Sequence, residues 1–265
     1  MSINFDDGYR SDLIAKNIMD HYGFKATAFI VVNPRCRGGA EGRMNASEIT
    51  LLYKDGWDIE SHGYNHKRPA DLTHNEFMIQ YNLSRDLLNA SWPTVTSYAS
   101  PFGCVTSNSM TQIKKYYKSQ RGDGQQIVFN RRNSFDRYNI RAFDVTNDMS
   151  MREFKNAVDQ AKDPNVWAVL VYHHVYNEPN STWSVSEASF REQMAYLHQA
   201  NITVLTNRQV LDMWCNDNAT KANSHKPRQR LSISMKTQDG GTLRGLVNSA
   251  ELTGVPDRNL EPRAY

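Results

Sequence analysis

The feature that most constrains this chain is an alternation of two hydrophobic periods, sustained over roughly 215 residues. Short β-branched or aromatic runs read as strands at Ile3–Phe5, Ala26–Val32, Trp57–Ile59, Val95–Tyr98, Ile140–Phe143, Val166–Tyr172 and Ile202–Leu205. Between them lie amphipathic stretches of helical spacing. Residues 11–22 set Leu13, Ile14, Ile18 and Tyr22 on one face, and Asn45–Tyr53 opens on a capping asparagine. Thr73–Leu88 opens on a capping box formed by Thr73 and Glu76. Ser109–Tyr117, Met151–Ala161, Ser186–Gln199 and Arg208–Trp214 complete the set. Strands and helices in strict alternation predict an α/β fold built from parallel βαβ units. Seven strands suit a closed barrel, and an open doubly wound sheet fits the same string.

The alternation stops near Asn216, which predicts a catalytic domain over residues 1–215 and a tail or small appendage over 216–265. In the tail only Leu231–Met235 reads as a strand, with a turn at Asp239-Gly240-Gly241. The net charge of +3 is the excess of eight Lys/Arg over five Asp/Glu after Cys215, so the body is neutral. No basic stripe with interleaved aromatics is present, which argues against nucleic acid as a partner. An apolar content of 39% supports a sizeable core. No apolar run reaches the roughly 18 residues that a membrane span needs. Three scattered cysteines, Cys36, Cys104 and Cys215, make neither a disulfide framework nor a zinc ribbon. The opening MSINFDDGYR has no cationic head followed by an apolar stretch, so no signal peptide is expected in it.

Polar residues stand where the expected strands end. Asp6-Asp7-Gly8 follows the first, Glu60-Ser61-His62 and then His66 the third, and Ser100-Pro101-Phe102-Gly103 the fourth. Asp144 follows the fifth and His173-His174 the sixth. In α/β barrels and open parallel sheets alike, the C-terminal strand ends carry the chemistry. His62 and His66 are four apart, so a turn of helix would put both imidazoles on one face and let them chelate one ion. With one carboxylate of the Asp6-Asp7 pair, they would leave a coordination position open, as in catalytic rather than structural zinc sites. The other carboxylate would then take a proton from water. Gly8 permits the sharp exit from the strand. An imidazole at His173 could protonate a departing amine, while strand alternation points His174 to the other side. Trp183, in the segment after His173, could stack on a sugar ring at the mouth.

These residues carry a family resemblance. The chain resembles the polysaccharide deacetylases of the NodB-homology type, carbohydrate esterase family four. The family motif TFDDG is matched by Asn4-Phe5-Asp6-Asp7-Gly8, and G-W-E-I-G-S-H-x-x-x-H by Gly56–His66. R-P-P-Y-G is partly matched by Ala99–Gly103, and the apolar run ending in His by Leu170-Val171-Tyr172-His173. The resemblance implies a distorted (β/α)7-type barrel and a divalent metal, zinc or alternatively cobalt, held by Asp7, His62 and His66. It implies Asp6 as general base and His173 as general acid, with Pro101 and Phe102 at the oxyanion and substrate position. The implied reaction removes N- or O-acetyl groups from a carbohydrate polymer or oligomer containing N-acetylglucosamine, releasing acetate. An extracellular, periplasmic or cell-surface location is also implied.

The chain departs from the family where the motif-three arginine, which orients the base, aligns with Ala99. Arg35, Arg37, Arg68 and Arg141 are the replacements considered from sequence, and Asp144 or Asp148 is the counterpart of the fourth-motif aspartate. The missing arginine motivates an alternative, a catalytically degraded barrel that binds glycan without turnover. A same-fold hydrolase of small cyclic amides is a further alternative.

Overall fold

A computed structural model describes residues 1–33, 42–176, 181–224, 231–236 and 242–247, with side chains described as far as Cys215. Cys36 and the Asp239-Gly240-Gly241 turn lie outside them. The chain divides into two units, Met1–Trp214 and Cys215–Tyr265. Within the second, Leu231–Lys236 pairs antiparallel with Thr242–Val247.

The first unit is built on seven parallel strands: β1 (Ser2–Asp7), β2 (Thr27–Ile30), β3 (Asp58–Ser61), β4 (Ser97–Ala99), β5 (Ser119–Arg121), β6 (Phe143–Asp144) and β7 (Val169–Tyr172). Their order in the sheet is β5-β4-β3-β2-β1-β7-β6. The sheet curls until its edges meet. The approach to β6 touches β5 through a parallel bridge between Arg121 and Ile140, where the Ile140 N–H donates to the Gln120 carbonyl and the Gly122 N–H to the Ile140 carbonyl, both at 3.1 Å. Phe143 and Asp144 then pair with Leu170 and Val171. One bridge rather than a full ladder completes the ring, so the fold is the distorted (β/α)7-type barrel. Closure buries β1 on both sides, and every residue from Ser2 to Asp7 is buried.

Helices α1 (Asp12–Asp20), α2 (Ala46–Lys54), α3 (His74–Phe77), α4 (Ser84–Ser91), α5 (Ser107–Tyr116), α6 (Met151–Gln160), α7 (Glu187–Gln199) and α8 (Asn207–Ser224) alternate with the strands. Asn45 caps α2 as expected, accepting from the Glu48 N–H while the Glu48 carboxylate accepts from the Asn45 N–H. Thr73 and Glu76 form the expected capping box. The helix they start is interrupted, because a π-helical turn over Met78–Leu83 separates α3 from α4. Trp57, Trp167 and Trp214 are core residues.

Other elements also differ from the sequence expectation. Ile202–Leu205 forms no strand. Both edges of β1 are already taken by β2 and β7, so this segment exchanges hydrogen bonds with Met1 (3.0 and 3.1 Å) without adding a strand to the sheet. Conversely, β5 is made of Ser119, Gln120 and Arg121, all buried. Three polar residues show no apolar period, and none was visible there.

Candidate active site

The C-terminal strand ends surround a cavity of about 400 Å3, lined among others by Asp7, His62, His66, Phe102, Asp144, His173 and Trp183. At the end of β1 the backbone changes hand: Asp7 has φ +76° and Gly8 +74°. A regular strand would point neighbouring side chains apart. The left-handed turn instead brings both carboxylates to His62, whose Nε2 lies 3.8 Å from Asp6 Oδ2 and 3.8 Å from Asp7 Oδ1. A Cβ at position 8 would stand 3.1 Å from Ile30 Cδ1 on β2, so the turn also needs a small residue.

Asp7, His62 and His66 each offer one donor atom, and these atoms lie within 4.8 Å of one another. His66 Nε2 is 3.4 Å from Asp7 Oδ1. The two imidazoles do not share a helix turn as the spacing suggested. Residues 62–68 are a loop, and Gly63 (φ +81°) and His66 (φ +54°) give it the bend that brings the rings to a centroid separation of 4.8 Å. His62 Nδ1 bonds the Ala99 carbonyl at 2.9 Å. A carbonyl only accepts, so Nδ1 carries the proton and Nε2 presents its lone pair to the site. Burial pushes the His62 imidazole down to about 4, so it is neutral at pH 7, as a ligand must be. Burial raises the Asp7 carboxyl, but the facing His62, His66 and Arg43 outweigh it and bring the pKa down to about 2. Asp7 Oδ1 is buried and accepts no hydrogen bond. An ionised carboxylate oxygen left this way, beside two imidazoles, fits a divalent cation.

Asp6 lies just beneath, fully buried. Arg121 Nη2 donates to both of its oxygens, at 2.5 and 2.6 Å. Arg121 Nη1 donates to Asp123 Oδ2 at 3.2 Å, and the guanidinium sits 4.8 Å from the centre of the Phe29 ring. None of the arginines considered from sequence fills this place. Arg35 and Arg37 lie outside the described residues, Arg68 packs over the Phe102 ring, and Arg141 is exposed. Arg121 was missed because the strand carrying it was missed. The available signal was a basic residue one position before Gly122, shortly after an amphipathic helix.

His173 faces the cavity, with its ring 5.3 Å from that of Trp183. His174 lines the cavity as well, its ring tilted against that of Tyr9 with the centroids 3.6 Å apart. It was expected on the opposite side, but β7 ends at Tyr172 and His173 is a bend, so strand alternation does not carry through. Of the two fourth-motif candidates, Asp144 is buried at the cavity and Asp148 is exposed. Burial, with Asp123 beside it, pushes the Asp144 carboxyl up to about 7. Phe102 stands on a left-handed turn (φ +61°) behind Pro101, its ring 4.7 Å from that of His66. Asn4, which replaces the motif threonine, exchanges two amide hydrogen bonds with Asn207 at 2.9 and 3.0 Å. Glu60 does not reach the cavity; it accepts from the Thr96 and Ser97 N–H groups, both at 2.7 Å.

Residues 1–119 match the polysaccharide deacetylase family model. The resemblance to the polysaccharide deacetylases holds. The solved structures agree in fold. The peptidoglycan deacetylase PdaC of Bacillus subtilis is 15% identical, with 85% of this chain and 96% of that chain covered and a TM-score of 0.55. A family 4 carbohydrate esterase from Streptomyces lividans is 15% identical over 78% of this chain and 90% of that one, with a TM-score of 0.51. A polysaccharide deacetylase from Bacillus cereus is 19% identical over 59% of this chain, with a TM-score of 0.51. The match spans half of the Bacillus cereus chain. Among curated proteins none matches the sequence significantly.

Proposed function

We propose that this protein is a metal-dependent deacetylase that hydrolyses acetyl groups on an N-acetylglucosamine-containing polysaccharide or oligosaccharide. The observation that carries the reading is the convergence of the Asp7, His62 and His66 donor atoms beside an Asp6 carboxylate gripped by Arg121. The name of the Bacillus subtilis relative, a peptidoglycan deacetylase, supports an amino-sugar substrate. Asp7, His62 and His66 would hold the cation, zinc or alternatively cobalt. Such an ion supplies Lewis acidity, which in zinc hydrolases brings the pKa of water down to about 7.

The remaining steps belong to the chain's own residues. Asp6 accepts the proton of the attacking water. Its two oxygens keep lone pairs beyond those used by Arg121, and Oδ2 is the one turned toward His62. Arg121 holds that carboxylate in one orientation, so no reorganisation is needed as the proton arrives. The backbone N–H of Phe102, on its left-handed turn, donates to the oxygen that gains charge on the acyl carbon, with Pro101 fixing the approach of the loop. His173 gives its proton to the sugar nitrogen or oxygen as the carbon–heteroatom bond breaks, and acetate leaves. Trp183 offers a face on which a sugar ring packs at the mouth. The degraded-barrel alternative rested in part on Ala99, and Arg121 supplies the charge that residue lacks.

The test is acetate release from acetylated chito-oligosaccharide with zinc or cobalt supplied. Release abolished by a chelator and by Asp6→Asn is expected. Glycan binding without release, at any metal concentration, would overturn the proposal in favour of a binding barrel.

A further inference from the structure

We propose that Gln80, carried by the π-helical turn Met78–Leu83, is a positioning residue for the metal centre: it holds the His62–His66 loop in the form that presents both imidazoles. This rests on the metal-site reading above. Because residues 62–68 are a loop rather than a helix turn, no intrahelical ladder sets the distance between the two rings. Something outside the loop must. Two backbone bonds tie it to the end of β2, from the Val32 N–H to the Gly63 carbonyl (3.1 Å) and from the Asn33 N–H to the Tyr64 carbonyl (2.7 Å). These use carbonyls and leave the loop's own donors to be satisfied.

Gln80 takes them. Its Oε1 accepts from the Tyr64 N–H at 3.0 Å and from the Asn65 N–H at 3.3 Å, and its Nε2 donates to Asn65 Oδ1 at 2.5 Å. The side chain is 1% exposed. The fit is close, since a Cβ on Gly63 would stand 3.1 Å from Gln80 Oε1 and 3.0 Å from the Tyr98 hydroxyl. A single amide therefore binds the stretch between the two ligands at three points, all within three residues of each.

The π-helical turn accounts for the placement of Gln80. The Ser84 N–H reaches back five residues to the Ile79 carbonyl, and the one extra residue shifts the helix face that follows by about 100°. The Gln80 carbonyl is taken by the Ser84 hydroxyl at 2.5 Å. Ser84 Oγ in turn accepts from Ser61 Oγ at 3.2 Å, and Ser61 Oγ accepts from the Gly63 N–H at 3.2 Å. The turn thus grips the loop twice, through Gln80 at its middle and through Ser84 and Ser61 at its start. Such irregular turns concentrate where a helix serves a site, and partners that orient metal ligands commonly contribute 10–100-fold to affinity.

The experiment measures zinc and cobalt affinity of the full chain by competition with a chromogenic chelator, alongside the cobalt absorption spectrum and circular dichroism. Gln80→Leu, which keeps the bulk and removes the amide, is expected to bind metal roughly 10–100-fold more weakly, with an altered cobalt spectrum and an unchanged fold. Gln80→Glu keeps an acceptor for the two N–H groups and is expected to recover most of that loss. Should Gln80→Leu not fold, Asn65→Ala removes one of the three contacts and is expected to weaken metal several-fold. Folded variants that bind metal as the wild type does, with the wild-type spectrum, overturn the role of Gln80 while the metal site stands. A wild-type chain that binds neither ion overturns the metal site itself, and the role of Gln80 with it.

Discussion

Ala99 and Arg121 are register partners on β4 and β5, and Arg121 is the residue that grips both oxygens of Asp6. The arginine expected at position 99 is thus supplied from the neighbouring strand at the same level of the barrel. Arg121→Lys keeps the charge and loses the two-point geometry, and the two residues are not interchangeable at such a site. We expect kcat to fall about 100-fold with KM little changed, as for a reacting group misplaced by about an ångström. Arg121→Ala would leave a buried carboxylate without its partner and cost about 3–5 kcal/mol of stability. Ala99→Arg in the Arg121→Ala background is expected to recover part of both losses. Steady-state kinetics and thermal melts of the three variants check this.

Asp7 and His62 meet at 3.8 Å with no hydrogen bond on Asp7 Oδ1. We expect one divalent cation per chain in protein purified in the presence of zinc. His62→Ala and Asp7→Asn are expected to lose it. Elemental analysis reads the stoichiometry directly, and a wild-type value near zero would count against the site.

In the reaction proposed above, His173 protonates the leaving group. An amine leaves only when protonated, whereas a nitrophenolate leaves without help. His173→Gln is therefore expected to lose about 10²–10⁴-fold on an N-acetylated sugar and far less on nitrophenyl acetate. Equal losses on both substrates would assign His173 another task.

The Asp144 carboxyl is raised to about 7 by burial and by Asp123, against an ordinary value near 3.8. Between these two values the folded chain holds a proton that the unfolded chain has released, so stability falls as pH rises through that window and levels off above it. Asp144→Asn removes the penalty. The variant is expected to melt close to the wild type at pH 4 and above it at pH 8, by an amount on the order of a few kcal/mol. Melting curves across that range supply the comparison.

Trp183 is exposed at the mouth, 5.3 Å from the His173 ring. If its face packs on the sugar, Trp183→Ala raises KM for an oligosaccharide by roughly 3–10-fold, the worth of about 0.5–1.5 kcal/mol of stacking. The kcat is expected to change little. A small acetyl ester that cannot reach the ring serves as the control.

The sequence by itself determined what a local pattern can encode. Alternating periods specified parallel βαβ units, because burial on both faces leaves continuous apolar runs such as Val169–Tyr172. Asp6-Asp7-Gly8, His62 and His66, and His173 were legible because polar residues at the ends of apolar strands stand out against the pattern. Tertiary structure alone decided the rest. The strand Ser119–Arg121 carries no apolar period, since its buried side chains are polar and are satisfied by partners such as Ser97 and Ser100. Arg121 meets Asp6 across 115 positions of chain, a contact that no spacing rule reaches. The two imidazoles converge through a loop held from a π-helical turn rather than through a helix. Local sequence sets which faces are buried, but closing the barrel decides which buried polar groups face one another.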